Sequence, residues 1–208
     1  MDRYKEITIK SYDKTTDAYS SHVKFLHPLK ESRFFISLLN RGNRVLDLGC
    51  GSGRDSKIFA DKGFKVTGVD LSSKMIKKAR KEIKNAEFKV VDIEALKFGK
   101  NSFDGIWANA SLLHIPKRKL DSVIETLSGI LKNDGIMFIR VKSGDGESLE
   151  PDKRYGNVKK FWHYFKKGEL GSILIKHKLK ILKSYLKKRR TKDETHDWII
   201  VFAQKSIL

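Results

Sequence analysis

The stretch Arg44-Val45-Leu46-Asp47-Leu48-Gly49-Cys50-Gly51-Ser52-Gly53-Arg54 constrains this chain more than any other. Val45, Leu46 and Leu48 read as a short buried strand, and glycines at every second position then turn the backbone into a helix beginning near Asp55. Glycine tolerates positive φ in such a turn, and its missing Cβ lets a ligand lie directly against the main chain. Asp47, near the strand's end, is an acceptor expected to aim at the same spot.

The spacing to the next signals sharpens this. Phe64-Lys65-Val66-Thr67-Gly68-Val69 is a second apolar strand, ending in Asp70, 17 residues beyond Gly53. A doubly wound nucleotide fold puts the carboxylate that receives the ribose hydroxyls at about this place. Phe88-Lys89-Val90-Val91 then runs into Asp92-Ile93, so three successive strands finish on an acid. The carboxyl ends of parallel strands form one edge, and ligands bind in the crevice along it. The glycine pattern is G-x-G-x-G, tighter than the dinucleotide G-x-G-x-x-G whose helix N-terminus takes a pyrophosphate.

Val45 to Arg54, Val69-Asp70-Leu71-Ser72 and Val91-Asp92-Ile93 together resemble a class I S-adenosylmethionine-dependent methyltransferase. Adenosylmethionine carries no phosphate, which suits the tighter glycine spacing. The resemblance implies an α/β, doubly wound, mostly parallel seven-stranded Rossmann-like sheet with an antiparallel last strand. It implies a single domain over 1–208, with an N-terminal helical lid (1–43), a cofactor-binding half (44–142) and a substrate-side half (143–208). It also implies roles: Gly49, Gly51 and Gly53 facing the methionine moiety, Asp70 with Leu71 at the ribose, Asp92 at the adenine amino group and Ile93 giving its amide to the ring. Asp47 and the Asn109 main chain would orient the amino-acid end, and Tyr19, in a Tyr12…Ala18-Tyr19 segment similar to the lid of small methyltransferases, would touch the ligand.

The resemblance also implies that Asn109-Ala110-Ser111-Leu112-Leu113-His114 is the loop beside the transferable methyl group. This loop lacks the two prolines that aminomethyltransferases acting on adenine or glutamine carry there. Cytosine C5 methylation needs a cysteine nucleophile near this loop, and the only cysteine, Cys50, sits in the glycine turn. One cysteine also excludes an internal disulfide and a cysteine-rich metal site. His114 is the candidate general base, because its ordinary pKa lies near neutrality. A base is needed only if the acceptor still carries a proton when it attacks.

The composition, 39% hydrophobic with strand and helix signals alternating, fits a globular α/β protein. No apolar run approaches the roughly 18 residues of a membrane helix and the N-terminus has no signal-peptide character, so the expected location is the cytoplasm and no membrane partner is expected. The formal charge of +19 is concentrated late in the chain, where residues 151–192 hold fifteen Lys or Arg against Asp152 and Glu169. Two acceptors are therefore open: a small molecule, or an RNA such as tRNA bound along this basic region through its phosphates. A third reading is a non-catalytic cofactor-binding regulator, which requires the pocket beside Asn109 to be blocked. The oligomeric state is not legible here.

Further elements follow from periodicity. Thr16-Asp17 is expected to cap or begin a helix, and Phe34, Phe35, Leu38 and Leu39 recur at helical spacing. Ser72 caps a helix carrying Met75, Ile76 and Ala79. A helix over Lys117–Lys132 precedes a turn at Asn133-Asp134-Gly135 and a strand Ile136–Val141. Residues 142–148 read as a flexible connector into the aromatic cluster Phe161-Trp162-His163-Tyr164-Phe165, which resembles an insertion that closes over substrate in several family members. A helix from Glu169 to His177 and two strands, Ile181–Leu186 and Trp198–Ala203, joined around Lys187-Lys188-Arg189-Arg190, complete the chain.

Overall fold

The apolar runs pair as parallel strands. In the computed structural model, which describes residues 1–39, 42–189 and 196–206, β1 (Arg44–Leu48), β2 (Lys65–Asp70), β3 (Glu87–Val90), β4 (Phe103–Asn109) and β5 (Leu131–Lys142) run in one direction. A hairpin of β6 (Glu147–Asp152) and β7 (Val158–His163) follows, then β8 (Leu179–Lys187) and β9 (Trp198–Lys205). The seven-stranded sheet has the order β3-β2-β1-β4-β5-β9-β8, with β9 antiparallel to both its neighbours. The order reverses between β1 and β4, so a crevice opens at their carboxyl ends.

Strand alternation sorts the two faces. Val45 packs with Phe35, Phe59 and Trp107 beneath α2 (Leu29–Leu38) and α3 (Arg54–Ala60). Leu46 and Leu48 turn to the other face with Leu120 and Ile124 of α5 (Lys117–Ile130). Asp47 has the parity of Val45, so its carboxylate lies under α3, where it accepts a hydrogen bond from Ser56 Oγ at 2.6 Å.

α1 (Arg3–Val23) packs against α4 (Ser73–Glu82) and β7. It runs unbroken through Thr16 and Asp17, contrary to the expected boundary. Its buried residues are Thr8, Ser11, Thr15, Thr16 and Ser20, and four of these return their hydroxyls to the carbonyl four residues back, as Thr16 does to Tyr12 at 2.9 Å. Those hydroxyls are thereby satisfied within the helix, and Thr16 does not act as a cap. Ser72 does cap α4, accepting from the Met75 amide at 3.1 Å.

Three other expectations shift. Asn133-Asp134-Gly135 is not a free turn but a bulged start of β5, with Asp134 at φ 60° and the pairing slipping between Phe103 and Gly105. The connector after β5 is shorter than expected, residues 143–146, because strand β6 begins at Glu147 and pairs with β7. The last helix, α6 (Glu169–Lys176), ends one residue short of His177, and Lys178 takes the left-handed φ of 63° usual for glycine. Arg190 and Lys192, part of the basic stretch, lie outside the described residues.

Candidate active site

A cavity of about 120 Å³ opens at the carboxyl edge of β1, β2 and β4, with α1 as its roof. It gathers most of the residues singled out by sequence. Gly49, Gly51, Asp70 and Leu71 line one end, Asp92 and Ile93 the floor beside them, and Asn109, His114 and Tyr19 the remainder. Two singled-out residues are not in its wall. Asp47 is turned away beneath α3, as its strand parity requires. Gly53 is shaped by packing: a Cβ there would meet Ile83 Cδ1 at 2.4 Å.

Gly51 is the glycine that leaves room. Its φ is 54°, and a Cβ would find only Tyr19 Cε1, at 4.0 Å, so the main chain lies open to the cavity. Its amide donates to Asp70 Oδ2 at 2.9 Å, and the Ser72 amide donates to Asp70 Oδ1 at 2.9 Å. Those two bonds aim the Asp70 carboxylate while leaving further lone pairs for a ligand. Burial raises the pKa of Asp70, and the amides of Ser72 and Gly51 oppose the rise.

Asn109 is positioned by a group that sequence reasoning missed. Asp55, in the first turn of α3, accepts from Asn109 Nδ2 at 2.6 Å and from Trp107 Nε1 at 2.9 Å, while Arg54 Nε sits 2.7 Å from its other oxygen. This leaves Asn109 Oδ1 buried with no partner among the described residues, and Ser111 Oγ beside it is in the same state. A buried polar atom without a partner is costly, and both of these residues line the cavity. The only sequence signal for Asp55 is its place two residues after the last glycine of the turn. Lys5 is the second omission: its ammonium lies 2.6 Å from Asp92 Oδ2 and 2.8 Å from Glu94 Oε2.

His114 is engaged on both sides. Nδ1 lies 2.7 Å from the Phe161 carbonyl and Nε2 2.9 Å from the Tyr12 hydroxyl. Burial, aided by the Lys160 and Lys142 cations, pushes its pKa down to about 3, although the Phe161 carbonyl acts the other way. The imidazole is neutral at pH 7 and is not a free base.

The aromatic cluster serves the core. Phe165 is fully buried and Trp162 nearly so, with the Lys142 ammonium 3.5 Å from the Trp162 ring centre. The pocket beside Asn109 is open, so the condition for a non-catalytic regulator is not met. Much of the late basic charge is paired locally: Lys166 with Asp145, Lys176 with Asp121, Lys187 with Glu31, and Arg154 and Lys160 with Asp152. Among the described residues no helix is long and apolar enough to cross a membrane, and no group of His, Cys, Asp or Glu is arranged to hold a metal ion.

The glycine turn, the three strand-end acids and the sheet order now have an outside match. The family described as "Methyltransferase domain" covers residues 45–135. A methyltransferase from Methanosarcina mazei, S-adenosylmethionine-dependent, superposes with a TM-score of 0.75 at 25% identity, over 88% of this chain and 99% of that one. Residues 45–135 thus carry a methyltransferase domain, in a fold shared with S-adenosylmethionine-dependent methyltransferases. The 1,6-didemethyltoxoflavin-N1-methyltransferase of Burkholderia thailandensis, solved with its substrate and S-adenosylhomocysteine, gives a TM-score of 0.74 at 25% identity over 96% of this chain and 85% of that one. By sequence, the 2-methyl-6-phytyl-1,4-hydroquinone methyltransferase of a Synechocystis strain is 33% identical over 127 residues, 59% of this chain and 39% of the relative. A malonyl-[acyl-carrier protein] O-methyltransferase of Enterobacter lignolyticus is 26% identical over 141 residues, 68% of this chain and 55% of the relative. The chain thus spans about two-fifths to just over half the length of these two relatives.

Proposed function

We propose that this methyltransferase passes a methyl group from S-adenosylmethionine to a small molecule held in the cavity under α1. The observation that carries this is the cavity's continuity: beyond Asn109 and Ser111 it extends to Ile9, Tyr12 and Ile115, giving an apolar, aromatic chamber next to the polar end. The cofactor supplies an already activated methyl on a sulfonium, so the protein's share is alignment and exclusion of water.

The residues present fit that cofactor. Asp70, aimed by two amides, receives the ribose hydroxyls, and Asp92 with Ile93 receives the adenine. The bare Gly51 main chain admits the methionine moiety, and the unpartnered Asn109 Oδ1 and Ser111 Oγ offer hydrogen-bond partners to its amino-acid end. Asp47 supports the turn through Ser56 rather than touching the ligand. The pairing of Lys160, Lys166, Lys176 and Lys187 with acids favours the small-molecule acceptor over RNA.

The test is transfer of labelled methyl from S-adenosylmethionine into a cell extract that is then separated into RNA, protein and small-molecule fractions. Label in the small-molecule fraction is expected. Label in RNA, lost as salt is raised, overturns this reading in favour of a phosphate-tracking enzyme.

A further inference from the structure

The chamber beyond Ser111 carries one polar device whose hydrogen-bond polarity follows from its geometry and from the neutral state of His114. A carbonyl oxygen only accepts, so the 2.7 Å contact between His114 Nδ1 and the Phe161 carbonyl places the proton on Nδ1. In the neutral ring Nε2 is then an acceptor, and the Tyr12 hydroxyl, 2.9 Å away, must donate to it. The Tyr12 oxygen has spent its only hydrogen. Tyr12 lines the cavity, and any further hydrogen bond its oxygen makes there is one it accepts.

The ring holding that oxygen is clamped. The Lys160 ammonium, on a side chain with no exposed surface, lies 4.1 Å from the Tyr12 ring centre and is itself fixed by Asp152 at 3.1 Å. Tyr19 packs edge-on at 5.3 Å between ring centres. The Phe161 amide, which belongs to the same residue that locks His114, donates to Thr8 Oγ1 at 3.0 Å, one turn before Tyr12 on α1. Tyr12 therefore has little freedom to rotate its oxygen away or to reverse its hydrogen bond.

We infer that Tyr12 is a specificity-determining residue, selecting a small acceptor that presents an O–H or N–H and orienting its lone pair by receiving that hydrogen. This rests on the methyltransferase reading of the cavity. A molecule of the same shape without a donor leaves the Tyr12 oxygen dry and unpaired, the kind of loss on which polar sites discriminate strongly. Burial makes His114 a poor store for a proton, so the pair orients the acceptor and does not ionise it beforehand.

The experiment uses two isosteric probes, phenol and toluene, titrated into the protein loaded with S-adenosylhomocysteine and followed by ligand-observed NMR. Wild type is expected to bind phenol about 3- to 10-fold more tightly than toluene, from the worth of one buried hydrogen bond. Tyr12→Phe should bring that ratio to about one. Equal binding of the two probes to wild type, binding of neither, or a preference that survives Tyr12→Phe overturns the inference. A second measurement needs no variant: the ¹⁵N shift of His114 Nε2 in the loaded wild type should be that of an unprotonated acceptor, and a protonated Nε2 overturns the inference equally. Failure of wild type to bind S-adenosylhomocysteine at all sinks the methyltransferase reading itself. Cofactor binding without phenol preference sinks only the assignment of Tyr12.

Discussion

The Lys5 ammonium lies 2.6 Å from Asp92 Oδ2, so the roof helix is tied by salt bridge to the carboxylate proposed to receive the adenine amino group. The second tie is to Glu94, which also accepts from the Tyr4 hydroxyl and from Lys119 Nζ at 2.6 Å. Both acids hold on to α1, and α1 closes the cavity. A carboxylate oxygen has lone pairs enough for Lys5 and an amino group together, so the bridge and the ligand reinforce one another. Lys5→Met is expected to weaken S-adenosylhomocysteine binding by about 5-fold, the worth of one partly buried ion pair, chiefly through faster dissociation. Stopped-flow dissociation at low and high salt checks this. The wild-type rate should rise with salt, while the variant's should change less.

Asp70→Ala removes the acceptor of the Gly51 and Ser72 amides as well as the proposed ribose contact. Each charge-assisted bond lost is worth about 1.5–3 kcal/mol. Calorimetry is expected to show S-adenosylhomocysteine affinity down by about 100-fold or more. Far-UV circular dichroism should show the fold retained, since the β2 core residues Val66 and Val69 are untouched. Cofactor binding equal to wild type would remove Asp70 from the site.

The strands were legible because each is a short apolar run, and the cofactor end of the cavity was legible because acids at the ends of parallel strands share an edge. Asp47 lies outside the cavity wall because of its parity: a residue two after Val45 shares Val45's face. Gly53 and Gly51 look alike in sequence and differ only in what lies around them, Ile83 in one case and open cavity in the other. The hairpin β6–β7 shows no clear strand pattern in sequence because Asp152, Lys160 and His163 are residue types usually exposed, yet here they are buried and paired. α1 buries hydroxyls instead of apolar side chains, so its inner face gives no hydrophobic period. Lys5 and Asp55 act through contacts made far along the chain, with Asp92 and Asn109, which no local pattern announces.

Asp55 is the keystone of a buried group, and its loss should be felt twice. Asp55→Ala strands the Arg54 guanidinium and the N–H groups of Trp107 and Asn109. Removing one partner of a buried ion pair costs about 3–5 kcal/mol, to be measured by urea unfolding. Freed from Asp55, the Asn109 amide turns and cofactor binding weakens. Asp55→Asn, which keeps one acceptor oxygen, is expected to recover part of the stability.

The last prediction concerns pH. Burial, and next the Asp55 charge, push the Asp47 pKa up from 3.8 to about 7, against the hydrogen bond from Ser56. Between those two values the native state keeps a proton that the unfolded chain has released, so Asp47 lowers stability as pH rises through the window, and the penalty is complete above it. An asparagine has the shape of the protonated acid and can still accept from Ser56. Asp47→Asn is therefore expected to match wild type near pH 4 and to be more stable by about 1–3 kcal/mol at pH 8, with a flatter dependence between. Urea denaturation across that range decides the point. A gain of the same size at both ends would mean that the benefit is not electrostatic, and a loss at pH 8 would mean that the native state needs Asp47 ionised.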